Sequence, residues 1–161
     1  MSNPFLQLQT DAAAQLATHV YLAGIPVVTE SVGDIVAEVQ MRLTKGALRA
    51  GAGNKIGIAI AVVTPAGHSL DPVLSTEQGV RLDFYIYFNP LFNDGASGFQ
   101  KPPTDVFWAV LQSMLTWDRG AGNRHSVRLL DWDVVRSPKN EIRYYASFEI
   151  SLFLNLDAAI P

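Results

Sequence analysis

Gly79 to Phe88 reads GVRLDFYIYF, and its alternation is unbroken. Val80, Leu82, Phe84, Ile86 and Phe88 fall on one side of an extended chain, and Arg81, Asp83, Tyr85 and Tyr87 fall on the other. The stretch predicts a strand with one core face and one face free to meet water or a partner. Directly after it comes Asn89 to Pro103, NPLFNDGASGFQKPP, and about fifteen residues without a period are long for a connection inside a compact domain. This loop also keeps Leu91, Phe92 and Phe99, which solvation gives no reason to keep. The expectation is an arm buried on a neighbouring subunit. Its interface residues would be Pro90, Leu91, Phe92 and Phe99, with Tyr85 and Tyr87 from the strand. Leu91, Phe92 and Phe99 should then be poorly buried within one chain.

The rest of the chain supplies the partners of that strand. Leu8 to Tyr21 predicts a helix, with Thr10 and Asp11 as start signals, apolar residues at three- and four-residue steps, and Gly24 as its end. Ile25 to Thr29 is short and β-branched, and Pro26 suits an edge. A second helix begins at Asp34, with a stripe of Ile35, Val36, Val39, Leu43 and Ala47. Lys55 to Val63, KIGIAIAVV, sets Ile56, Ile58, Ile60 and Val62 on one face and Gly57, Ala59 and Ala61 on the other. A strand apolar on both faces belongs inside a sheet, and the small face invites close approach by a helix or a neighbouring subunit. Thr64 to Gln78, with Pro65 and Pro72, reads as an irregular link.

Thr104 is the expected cap of a helix running to about Trp117, whose Val106, Phe107, Val110, Leu111, Met114 and Leu115 form a broad apolar stripe. Two strands close the chain, Val127 to Val135 and Ile142 to Leu154, joined by a turn at Ser137 to Asn140. The order of elements predicts a single α+β domain over residues 1–161, with a mainly antiparallel sheet of about four to five strands and helices packed on one face.

Composition narrows the function. With 161 residues, 48% apolar and 17% charged, the chain can bury a real core. A net charge of −3 leaves no polybasic footprint for tight nucleic-acid binding. Absence of cysteine removes disulfides, thiolate nucleophiles and thiolate metal sites. No stretch resembles a signal peptide or reaches membrane-spanning length, so a soluble protein made in the host cytoplasm is expected.

No cluster demonstrates chemistry. Gly51 to Lys55, GAGNK, lacks the spacing of a phosphate loop and precedes a strand instead of following one. Asp131 and Asp133 flank Trp132 on one side of a strand, about 7 Å apart. They could hold a divalent cation or act as acid and base, but a charged outer face opposite a core face of Leu130, Trp132 and Val134 is the preferred reading. His19, His68 and His125 share no ligand spacing. Arg119, Arg124 and Arg128, with His125, form a weak basic patch around a Gly-rich loop; it could touch DNA or an acidic neighbour, but a solvated loop is the preferred reading. Tyr85, Tyr87, Tyr145 and Phe153 lie on the polar sides of their strands, as in a stacking surface for single-stranded nucleic acid or in a subunit interface.

The layout resembles the small tail-terminator and tail-completion proteins of long-tailed bacteriophages and related phage-like particles. The resemblance runs through the helix at Asp11 to Tyr21, IPVVTE at Ile25 to Glu30, KIGIAIAVVTPAG at Lys55 to Gly67 and LDFYIYFNPLFN at Leu82 to Asn93. It continues through the GASG-containing loop, the helix TDVFWAVLQSML, and the hairpin closing with YYASFEISLFL. It implies a sheet flanked by helices, assembled as a ring, usually a hexamer, that caps the tail tube and forms the tail side of the head-tail joint. It implies contacts with tail-tube protein, possible sheath and head-tail connector proteins, DNA only as cargo passing through a polar or acidic lumen, and residence in the virion. Neither enzyme activity nor a cofactor is expected from it, nor contact with a membrane. A second neck or connector position in the same particle, or a small ligand-binding or enzymatic domain using Asp131, Asp133 and His125, are the competing readings.

Overall fold

The computed structural model describes residues 3–44, 57–64, 67–69, 77–89, 101–118, 127–136 and 142–153. The elements are α1 (Pro4–Thr18), β1 (Val27–Thr29), α2 (Ile35–Thr44), β2 (Ile58–Val63), β3 (Gly67–Ser69), β4 (Glu77–Phe88), α3 (Pro103–Leu115), β5 (Arg128–Arg136) and β6 (Ile142–Phe153), with single 3-10 turns at Val20–Leu22 and Glu30–Val32. The strands form one mixed, mostly antiparallel sheet in the order β1-β2-β4-β6-β5, and β3 pairs with the opening of β4. β1 runs parallel to β2, as expected of a strand reached through a crossover helix, and every other pair is antiparallel.

β4 is the axis of the molecule. β6 pairs with its full length, from Glu77↔Phe153 to Phe88↔Ile142, while β2 and β3 share its other edge. The alternation decides what each side meets. Val80, Leu82, Phe84, Ile86 and Phe88 join Ile58, Ile60 and Val62 of β2 and Ala146, Phe148 and Ile150 of β6 in the main core, under Leu8, Ala12 and Leu16 of α1 and Val106, Val110 and Met114 of α3. Phe84 and Phe148 meet edge to face with ring centroids 5.4 Å apart, the arrangement that aromatic quadrupoles favour. α1 and α3 are tied to each other by reciprocal bonds: Gln15 Nε2 donates to the Ser113 carbonyl at 3.0 Å and Ser113 Oγ donates to the Gln15 carbonyl at 3.2 Å.

The helices do not share one face. α2 lies against the opposite side of the sheet, where Val39 and Leu43 pack on Val28, Ala59 and Ala61. The absence of side-chain bulk at Ala59 and Ala61 lets a helix axis come close, so the small face of β2 is covered within the chain and is not left for a neighbouring subunit. Val36, expected in the buried stripe of α2, is 70% exposed, because the helix meets the sheet along a narrower seam than its apolar residues span.

Helix starts differ from the expected ones. α1 begins a turn earlier, capped by Asn3 Oδ1, which accepts from Phe5 N at 2.9 Å, with Pro4 in the first turn. Thr10 and Asp11 are therefore interior. α3 begins at Pro103 after Pro102, and Thr104 caps nothing. Asp34 does cap α2, its Oδ1 accepting from Ala37 N at 3.0 Å. β3 falls inside the stretch expected to be an irregular link. Gly57, at φ 61, turns the chain into β2 in a conformation L side chains avoid, and its carbonyl accepts from Asn89 N at 2.8 Å to close the β2–β4 end.

Leu130 does not join a core face with Trp132 and Val134. Leu129 pairs with Phe148 and Asp131 with Ser147, so Leu130 is the extra residue of a β-bulge. As β5 lies at the sheet edge beyond the reach of α1, Trp132 is left 58% exposed. The loop residues Pro90, Leu91, Phe92 and Phe99, the patch residues Arg119 and Arg124, His125, Ala47, Ile56, the GAGNK segment and the Ser137 to Asn140 turn lie outside the described residues.

Candidate functional site

The second face of β4 and β6 carries a polar and aromatic array that follows directly from register. Tyr87 stands beside Arg143, Tyr85 beside Tyr145, Asp83 beside Ser147 and Arg81 beside Glu149. β5 extends the rows, with Val135 opposite Arg143, Asp133 opposite Tyr145 and Asp131 opposite Ser147. Antiparallel pairing brings together residues some sixty positions apart, which is why period-2 reading places each residue on a face but not against its neighbour.

At the centre, Asp83 is buried and carries two donors on one oxygen: Arg81 Nε at 2.8 Å and the Tyr145 hydroxyl at 3.1 Å. Arg81 Nη2 also donates to the Tyr145 hydroxyl, closing a three-membered ring of contacts. Charge-assisted bonds of this kind are about twice as strong as neutral ones, and they are what makes a buried carboxylate tolerable. The Arg81 guanidinium has its pKa raised, first by the bond to Asp83. Tyr85 rests on Tyr145 with centroids 5.2 Å apart and on Tyr87 at 6.5 Å. Its phenol pKa is raised above 10.0 by burial, then by the charge of Asp83. Arg143 lies over the Tyr87 ring at 5.2 Å, a cation–π distance.

Tyr85, Tyr145, Arg143, Asp133 and Val135 line an open cleft of about 230 Å³. Asp83 is occupied by its two donors, and Asp131 and Asp133 each accept from the backbone N–H that follows them, Trp132 N at 2.8 Å and Val134 N at 2.7 Å. His19 serves a 3-10 turn, its Nδ1 accepting from Tyr21 N at 3.3 Å. Among the described residues no group of three metal-ligating side chains converges, and no helix is long and apolar enough to cross a membrane.

Sequence reading placed Tyr85, Tyr87 and Tyr145 on one face, and they do come together. Tyr85 and Tyr87 are half-buried against the α2 cluster, so part of each ring is already used inside the chain. Arg128, expected in a basic patch, is paired with Glu149 at 2.9 Å. A second polar knot carried no sequence signal. Fully buried Gln9 donates to Glu30 and, at 2.6 Å, to Thr64 Oγ1, and accepts from Glu30 N at 2.9 Å. It joins α1 to the ends of β1 and β2.

A different surface is apolar. Trp108 of α3 and Trp132 of β5 are both 58% exposed, and Leu115 of α3 and Leu130 of β5 are also exposed. Phe107 bridges the elements, with its ring 6.0 Å from Trp132 and 5.4 Å from Tyr144. Two indoles facing water on neighbouring elements suit a protein interface better than a solvated surface. Compared with protein-family models and with curated proteins, the chain matches none.

Proposed function

We propose that this chain is a structural subunit of a bacteriophage tail or neck, the ring that caps the tail tube and forms the tail side of the head-tail joint. The observation that carries the reading is the exposure of large apolar side chains on α3 and β5, Trp108 and Trp132 foremost. A ring is built from heterologous contacts, in which one patch meets a different patch on the next copy, and this surface supplies one such patch. The order of elements and the resemblance in layout support the same assignment, with the hexamer as its ring. The carboxylates that an enzyme would use are bonded to their own backbone or to Arg81 and Tyr145, which favours assembly over catalysis. Tail-tube and connector proteins are the partners, DNA passes through as cargo, and the virion is the location.

Electron microscopy of the purified protein and of particles carrying a tagged copy tests the proposal. Rings, or tag density at the head-proximal end of the tail, are the expected result. A chain that stays monomeric and never enters a particle ends it. Replacing Asp131 and Asp133 by alanine separates the enzymatic reading, which requires a lost activity in a folded protein.

A further inference from the structure

The cleft on the second face of the sheet is walled by two rows of cross-strand neighbours, Asp133–Tyr145–Tyr85 and Val135–Arg143–Tyr87. Asp133 and Arg143 are therefore diagonal neighbours on adjacent strands, about 7 Å apart by sheet geometry, and both are exposed. Opposite charges at that spacing can bond each other. The ion pairs among the described residues join Glu38 to Arg42, Asp83 to Arg81 and Glu149 to Arg128, and neither Asp133 nor Arg143 enters one. Each is held by a contact of its own instead. Asp133 Oδ1 accepts from Val134 N at 2.7 Å, and the Arg143 guanidinium lies 5.2 Å over the Tyr87 ring. The rings beside them are fixed as well, since the Tyr145 hydroxyl is engaged by Asp83 and Arg81, and Tyr85 packs on both Tyr145 and Tyr87. Walls set before anything binds lower the ordering cost of binding.

The cleft thus offers one anion, one cation and two phenol rings. A purely anionic occupant is opposed by Asp133 and a purely cationic one by Arg143, so the complement of both is a molecule that carries both charges. At about 230 Å³ the space is smaller than the roughly 300 Å³ at which ordinary ligand pockets begin, which limits the occupant to the size of a single residue. We propose that this cleft binds a free aromatic α-amino acid as its zwitterion, with the ammonium on Asp133, the carboxylate on Arg143 and the side-chain ring against Tyr85 and Tyr145. Burial, and after it the charge of Asp83, raises the pKa of the Tyr85 phenol, so the ligand ring meets a neutral ring and no second anion. Binding there does not depend on the assembly role, which rests on Trp108 and Trp132.

Titration of L-phenylalanine into the full chain, followed by calorimetry and by NMR shifts of the tyrosine rings, tests the proposal. Saturable binding with a Kd of about 1 mM or tighter, and shifts at Tyr85 and Tyr145, is the expected result. N-acetyl-L-phenylalanine lacks the ammonium, L-phenylalanine amide lacks the carboxylate and L-alanine lacks the ring. Each should bind about tenfold more weakly or worse, the worth of one charged bond or one ring contact. The same compounds separate a free amino acid from a chain end, because a partner's C-terminus resembles the acetyl derivative and its N-terminus the amide. Asp133→Asn and Arg143→Gln, both at exposed positions, should each weaken L-phenylalanine by about tenfold. No saturable binding up to about 10 mM overturns the proposal, and so does equal affinity for any of the three compounds or for either variant. Should a variant fail to fold, the three compounds decide on the native protein alone.

Discussion

β4 meets two different chemistries on its two sides, and the contrast shows how the sheet is held. On one side Val80, Leu82, Phe84, Ile86 and Phe88 are buried beneath α1 and α3 with no polar group among them. On the other, Arg81, Asp83, Tyr85 and Tyr87 form a bonded and stacked array that α2 partly covers. The first face is stabilised by area removed from water, at about 25 cal/mol per Å², and tolerates no loss of volume. The second is stabilised by pairing, so its stability depends on partners and on pH.

The widest separation between the two faces comes from single truncations. Phe84→Ala removes a ring that touches Phe148 and leaves a cavity at the centre of the sheet, so unfolding in urea should report a loss of about 3–5 kcal/mol. On the opposite side, Asp83→Ala should cost less, about 1–3 kcal/mol. Arg81 loses its acceptor there but is 41% exposed and can turn to water. A larger loss for Asp83→Ala than for Phe84→Ala would reverse the ordering of the faces. Ala61→Leu probes the contact between them, because a longer side chain there must displace α2. Overpacking of this kind costs about 1–3 kcal/mol, and an unchanged urea midpoint would mean that α2 is not seated on Ala61.

Much of this division was legible in the sequence, for a physical reason. The side-chain period of a strand is two, so the alternation from Val80 to Phe88 names both faces without any knowledge of partners. The large and small faces of Ile58 to Val63 were equally plain, and the central position of that strand follows from them. What could not be read was which helix covers which face. An amphipathic stripe shows that α2 must pack but not on which side, and helices on both faces resulted where one face was expected. The bulge at Leu130 was invisible too, because inserting one residue changes register without changing composition. The network of Arg81, Asp83 and Tyr145 was half legible: its members lie on predicted polar sides, but their meeting depends on the β4–β6 register.

A pH titration probes the second face through Tyr85, which carries a shifted group there. The Tyr85 phenol has a raised pKa in the folded chain, chiefly from burial and next from Asp83. The folded state therefore keeps its proton when the unfolded chain has begun to lose it. Stability from this group is complete below the unfolded value of about 10 and is lost as pH rises through the folded value. Tyr21 shifts in the same direction, from burial and Asp105. Melting temperatures between pH 8 and 11 should fall on the alkaline side, and Tyr85→Phe should fall less steeply. Parallel curves for the two proteins would remove Tyr85 from the account.

The smallest effect has the opposite sign. Ser147 stands opposite Asp83 in the register, fully buried, and its Oγ has no hydrogen-bond partner among the described residues. Asp83 cannot serve it, because Arg81 and Tyr145 already draw the carboxylate toward them. A buried hydroxyl without a partner carries a desolvation cost and returns nothing, so Ser147→Ala should stabilise the protein, by up to about 1 kcal/mol. A loss of more than that amount in urea unfolding would show that the hydroxyl does have a partner on this face. Gain would instead mark Ser147 as the one member of the array whose polarity the fold does not use, leaving the polar face held by Arg81, Asp83 and Tyr145.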